Sequence, residues 1–225
     1  MKEALESFLG ISMEKITDSI AQTLYMVGVS LIIATVAAFF IAILLTFTRK
    51  GGLFQNLIVY NILNFIINIV RSTPFVVLLV AVMPLTKALI GTRIGPTAAI
   101  VPMTLSSIPF MARLMENSLL DTGRGIIEAA QSVGATPFQI IFHFILPESL
   151  GSLILSLTTG VVALIGSSAM AGYVGGGGIG YLIQSYGYNK FNFNLMYSLV
   201  VVLIIVTQLL QTLGSKLASA ARKNK

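Results

Sequence analysis

The chain has no cysteine, a single histidine and little charge. Without cysteine there is neither a disulfide framework nor a thiolate metal site. His143 alone does not make a metal centre, and we assign it no chemistry. Charged residues are 10% of the 225, where a soluble domain carries about 25%. No acid follows Glu148. No G-x-x-x-x-G-K-[ST] string occurs, so a nucleotide that drives this chain must be bound by another polypeptide.

What remains is apolar, at 56% hydrophobic residues, and its few charges are clustered. Between Asp18 and Arg49 lie 30 uncharged residues, and roughly 20 apolar residues cross a hydrocarbon core. Further uncharged windows run 51–70, 72–86, 94–112, 149–189 and 191–215. A soluble fold is excluded. A closed barrel needs strands of about ten alternating residues, and these runs do not alternate. The first run is not read as a secretory signal: its flank (Lys2, Glu3, Glu6, Glu14, Lys15, Asp18) is net acidic and its apolar stretch is too long. The predicted fold is an all-α integral membrane protein with five transmembrane helices, at about 19–48, 55–86, 94–115, 149–171 and 191–214.

The second span is too long for one straight crossing and contains Arg71-Ser72-Thr73-Pro74. Proline lacks a backbone donor and disfavours helix in the residue before it, which predicts a kink or break; two shorter helices would change the parity. Five spans put the ends on opposite sides. The loop 49–54, the stretch 113–147 and the C-terminal tail then share a face with eight basic residues, and the other face has five. Positive charge favours the cytoplasm. This predicts an extracytoplasmic segment 1–18, a membrane domain 19–212 and a basic cytoplasmic tail 213–225. The net charge of +6 is read as this bias and not as a nucleic-acid surface.

The inside stretch 113–147 is patterned for structure. Asp121 or Thr122 can cap a helix through Ile126–Gln131. Gly134 suits a left-handed C′ position. Thr136-Pro137 places a cap and an N1 proline before a second, apolar helix, predicted to stop at Leu146-Pro147. Two short helices around a glycine elbow form a knob at about 121–147, between spans three and four. An apolar ordered knob needs something to bury it: a partner, or the membrane surface.

The residues Glu128-Ala129-Ala130, Gly134, Phe144 and Leu146-Pro147 resemble the signature loop of permeases of type I ATP-binding-cassette importers. That pattern is E-A-A, three residues, G, nine residues, I, one residue, L-P. Phe144 replaces the isoleucine and keeps an apolar anchor. A finer resemblance, to the methionine importer permeases, rests on Arg71-Ser72-Thr73-Pro74-Phe75, Ser106-Ser107-Ile108-Pro109-Phe110, Ser168-Ala169-Met170-Ala171-Gly172, Gly175 to Gly180, and Tyr186-Gly187-Tyr188. The resemblance covers about 19–212. It implies a cytoplasmic coupling-helix pair that docks on an ATPase subunit through the signature residues. It also implies two copies of that ATPase, which carries ATP and magnesium; a second copy of this chain; and an extracytoplasmic, lipid-anchored substrate-binding protein. The location implied is a bacterial cytoplasmic membrane. The chain itself would have no catalysis, cofactor or nucleic-acid partner. The implied substrate is an amino acid, methionine first, with another amino acid or small polar solute as the alternative.

Other motifs admit two readings each. Gly175 to Gly180 satisfies G-x-G-x-x-G, but no acid follows to hold a ribose, so it is read as a flexible external turn. Asn61, Asn64, Asn68 and Arg71 share a helical face within about 80°. Such residues line a pathway or bond neighbouring helices. Arg71, with Ser72 at the break, contacts substrate or snorkels to the outer surface. Ser106 and Ser168 permit close helix packing or line the path, and Met170 could offer it an apolar wall. A secondary transporter would need acids inside the spans, and none falls within the predicted ones. A membrane scaffold whose knob recruits a soluble partner is the rival from another class.

Overall fold

The computed structural model describes residues 2–223. Their order is α1 (Lys2–Leu9), α2 (Met13–Thr48), α3 (Leu57–Ser72), α4 (Phe75–Ala81), α5 (Met83–Ile90), α6 (Pro96–Leu120), α7 (Arg124–Ser132), α8 (Pro137–Gln139), α9 (Leu146–Tyr173), α10 (Gly178–Tyr181) and α11 (Phe193–Lys223). Wider π-type turns follow α8 at Ile140–Ile145 and α10 at Leu182–Tyr188. No strand is present among the described residues.

Four stretches are long and apolar enough to cross a membrane: α2, α6, the continuous helix Pro137–Tyr173, and α11. The pair α3 and α4 supplies the fifth as a broken span, bent by 105°. The bend falls at Thr73-Pro74, as the proline requires, with Pro74 extended at φ −57 and ψ 138.

The chain divides into two compact units. The first comprises Met1–Ile33, Thr73–Ser107 and Val161–Leu210. Its core packs Met26, Leu79, Ala99, Met103, Leu164 and Ala171. A second cluster joins Leu9, Ile11 and Ile16 to Ile179, Leu182, Leu195 and Leu199. The N-terminal stretch is therefore an integral part of this unit. Its α1 is tied down by Asn192, whose Nδ2 donates to the Leu9 carbonyl at 2.6 Å, and α2 already begins at Met13.

The expected flexible turn at Gly175 to Gly180 is corrected by the structure. α9 ends in a Schellman motif: Gly176 N–H reaches the Ala171 carbonyl and Gly175 N–H the Gly172 carbonyl. The chain then doubles back. A Cβ on Gly180 would be driven into the Ala169 backbone, and one on Gly172 into that of Gly180 and Tyr181. Side chains of α2 hold the start of α10, where Gly178 N–H donates to Gln22 Oε1 at 2.8 Å and Ile179 N–H to Thr23 Oγ1 at 2.9 Å. These glycines allow close backbone approach, and the turn is pinned.

The second unit comprises Ala34–Ser72, Ile108–Gly160 and Gln211–Lys225. Small residues set its packing, as expected where lipid tails remove the hydrophobic drive between helices. Gly160 receives the Met111 side chain, Gly214 meets Thr158, and Gly151 meets Ala218 and Arg222. The Ser118 and Ser156 hydroxyls share a hydrogen bond at 2.8 Å.

Several boundaries differ from expectation: span one starts at Met13 and not 19, and span two, expected to reach 86, ends as a broken pair at Ala81 with α5 separate. Span three is expected to end at about 115, but α6 runs to Leu120. The reason is an ion pair: Arg113 Nη1 donates to Glu116 Oε2 at 2.6 Å, one turn apart, with Glu116 2% exposed. Paired charges can stay inside a helix bundle where a lone one would end the span. Span three thus does contain an acid, and the helix of span four begins with another, Glu148. The second knob helix does not stop at Leu146-Pro147; Pro147 sits in the first turn of α9, where its missing donor costs no bond. Last, α11 continues through the predicted tail to Lys223.

Candidate functional site: the knob and the polar face of α3

The knob is built by local backbone chemistry. α7 starts at an N-cap Gly123, with no side-chain cap, so neither Asp121 nor Thr122 takes the role expected of it. Its end is a Schellman motif. Gly134 N–H donates to the Gln131 carbonyl and Ala135 N–H to the Ala130 carbonyl, both at 3.0 Å. Gly134 has φ +76, the left-handed conformation that L residues with a Cβ resist. This geometry explains the spacing from Ala130 to Gly134. The alanine provides the carbonyl that closes the motif and packs away at 1% exposure, and glycine four residues later provides the turn.

The second half restarts with a capping box. Thr136 Oγ1 accepts from Gln139 N–H, and Gln139 Oε1 accepts from Thr136 N–H at 2.8 Å, with Pro137 at N1. Ile140, Ile141 and Ile145 turn inward and are buried. The outer side presents Val133, Phe138 and Phe142, exposed by 78%, 68% and 52%. Between the two halves lies a concave patch of about 480 Å³ lined by Val133, Gly134, Ala135, Gln139, His143 and Phe144. Glu128 and Ala129 are also exposed, while Phe144, Leu146 and Pro147 are half-buried. The signature residues therefore split. Glu128 and Ala129 face outward, Ala130 and Gly134 shape the elbow, and Phe144 to Pro147 join the knob to α9.

The polar stripe of α3 also divides. Asn64 Oδ1 accepts from Arg113 Nη2, so it bonds α3 to α6. Asn61, Asn68, Arg71 and Ser72 are exposed, with Ser72 Oγ donating to the Asn68 carbonyl. Ile67 is the buried contact of this helix. Ser168 is buried and donates to the Ile165 carbonyl at 2.7 Å; half-buried Ser106 donates to Met103 at 3.0 Å. Met170 is exposed. Arg113 and Glu116 were not among the sequence candidates. Their i, i+3 spacing beside an apolar run is the available signal, and the expected span boundary at 115 falls between them.

Tyr186, outside the spans, accepts at its hydroxyl from Lys15 Nζ near the start of α2 at 3.2 Å, and Lys190 lies 4.3 Å from its ring centre. The Lys15 hydrogen bond, then its charge, holds this phenol below its ordinary range.

Residues 38–220 match the family model described as binding-protein-dependent transport system inner membrane component. The chain belongs to this family. As a member it is a transport subunit, the permease of an ATP-binding-cassette importer. A relative from Vibrio cholerae serotype O1, the probable D-methionine transport system permease protein MetI, is 46% identical over 87% of each chain. The methionine import system permease protein MetP of Bacillus subtilis strain 168 is 39% identical over 80% of this chain and 81% of its own. Among solved structures, an inward-facing MetNI methionine ABC transporter matches with TM-score 0.90 and 40% identity, over 93% of this chain and 97% of that one. An amino acid ABC transporter solved with histidines has TM-score 0.77 at 17% identity, which shows the shared fold.

Proposed function

We propose that this permease forms the translocation pathway of a methionine importer. The observation that carries the substrate is the 46% identity, over most of both chains, to a permease named for D-methionine transport. The full assembly is read as two copies of this chain, two ATPase subunits that bind ATP and magnesium, and an extracytoplasmic, lipid-anchored binding protein. The basic bias supports a bacterial cytoplasmic membrane location with the N-terminus outside, the coupling loop inside and a basic cytoplasmic C-terminus.

In this reading the ATPase takes the knob through Glu128, Ala129 and the exposed rings of Phe138 and Phe142. Gly134 and Ala130 hold the elbow in shape. The helix Pro137–Tyr173 is unbroken over 37 residues. Phe144, Leu146 and Pro147 root the knob in this helix. Exposed Asn61, Asn68 and Arg71 do not belong against hydrocarbon; facing a second copy of the chain, they would line a wet path together with Ser72. Asn64 supports that face from behind.

The test is uptake by proteoliposomes holding this chain, its ATPase partner and the binding protein. Labelled D- and L-methionine should enter only with ATP inside and should be preferred over histidine and other amino acids. ATP-dependent uptake of another amino acid, with methionine excluded, would correct the substrate. Uptake without the ATPase would overturn the class.

A further inference from the structure

The start of α2, the turn into α6 and the hairpin of α10 border an open cavity of about 440 Å³. Lys15 and Asp18 stand on its wall, three residues apart on α2. Opposite charges at this spacing are neighbours, with Cβ atoms about 5–6 Å apart, and ordinarily pair. Here no ion pair joins them among the described residues. Tyr186 draws the lysine aside: Lys15 Nζ donates to the phenol at 3.2 Å and lies 4.9 Å from the ring centre. An ammonium has three donors, so Lys15 keeps others for an occupant. Asp18 is left without a partner among the described residues. The wall thus offers one cation and one anion, side by side and unpaired.

The rest of the wall suits an apolar body. Tyr181 and Tyr186 meet edge to face with ring centres 6.3 Å apart, and Ile94, Pro96 and Leu182 stand beside them. Aromatic rings of this kind attract a thioether sulfur. The wall is also fixed in advance. Gln22 gives its carbonyl oxygen to Gly178 N–H, which leaves its amide donors for an occupant. A side chain on Gly177 would collide with Gln22 and Pro96, two residues of the wall. An occupant must therefore carry an acceptor anion for Lys15, a cation close by for Asp18, and an apolar chain for the rings. An α-amino acid bears its carboxylate, ammonium and side chain on one carbon. We propose that this cavity is an entry site for a free zwitterionic amino acid with an apolar side chain, a thioether foremost. It lies past the C-terminal end of α9, the extracytoplasmic end in the proposed topology. The inference rests on the reading of this chain as an amino-acid permease.

The test uses the purified complex of this permease with its ATPase, in detergent, without binding protein or ATP. The chain has no cysteine, so Ile94→Cys gives it a single thiol on the cavity wall, at a residue 66% exposed. Labelling of that thiol by a polar maleimide is timed with and without L-methionine. Near saturation, methionine should slow labelling at least about fivefold, as occupancy of one site requires. N-acetylmethionine lacks the cation and methionine amide lacks the anion, and neither should protect. Adding Asp18→Asn or Lys15→Gln should abolish the protection by methionine. Asp18→Asn keeps its shape and covers the case in which Lys15→Gln disturbs Tyr186. Labelling unchanged by methionine, or equal protection by both analogues, overturns the site. Protection that survives both charge variants also overturns it, because the effect is then relayed from elsewhere in the complex. The same preparation, reconstituted with the binding protein, is assayed for methionine uptake. Uptake without protection overturns this site and leaves the methionine reading standing; neither uptake nor protection overturns both.

Discussion

Arg113 holds two partners at once: Glu116 one turn along its own helix, at 2.6 Å, and Asn64 on α3. The guanidinium thereby fastens α3 to α6, the helix that leads into the knob. Breaking a buried pair by removing one member costs about 3–5 kcal/mol, because the other charge is left buried. Glu116→Gln should therefore lower the unfolding midpoint in detergent markedly. The double change Arg113→Leu with Glu116→Leu should cost less than Glu116→Leu alone. If the double variant is the weaker, the pair contributes net stability and the desolvation argument is wrong.

Gly134 offers a cleaner separation of backbone from packing. A Cβ built there meets nothing within 4 Å, yet φ is +76. The penalty for a side chain is conformational, of order 1–3 kcal/mol. Gly134→Val should insert in the membrane but split ATP hydrolysis from uptake in the assembled transporter. Gly134→Asn should be milder, since asparagine tolerates the left-handed region. Equal coupling in the valine variant would remove the elbow from the mechanism.

Two glycines of the first unit make an opposed pair of controls. Gly180 lies against the Ala169 backbone, whereas Gly166 faces open space. Gly180→Ala should reduce folded protein severely, as judged by monodisperse yield after extraction. Gly166→Ala should leave that yield near the parent level. A tolerated alanine at position 180 would mean that the hairpin of α10 can slide.

Arg71 separates substrate recognition from passage. It is exposed beside the 105° bend. If its fork receives a substrate carboxylate, Arg71→Lys and Arg71→Met both reduce uptake, with Met worse, since losing the partner of a desolvated charge costs roughly 2–5 kcal/mol. The ATPase rate without substrate should hold. Uptake by Arg71→Met equal to the parent, at equal insertion, would leave selectivity to the binding protein.

The sequence by itself determined whatever acts over a few residues. Apolar runs require helices in lipid, because backbone groups there must bond internally. Pro74 broke the second span, Gly134 turned the elbow, and Thr136 capped the next helix, each where its backbone chemistry demanded it. Only the tertiary structure decided what depends on residues distant in the chain. The same Gly-rich letters encode a loose turn or a tight contact, and Gly180 became a contact because Ala169 stands against it. Asn64 left the exposed stripe because Arg113, 49 positions away, reached it. Arg113 and Glu116 could remain inside a span because each neutralised the other, and the cost of a charge in a membrane depends on that neighbour rather than on the charged residue alone.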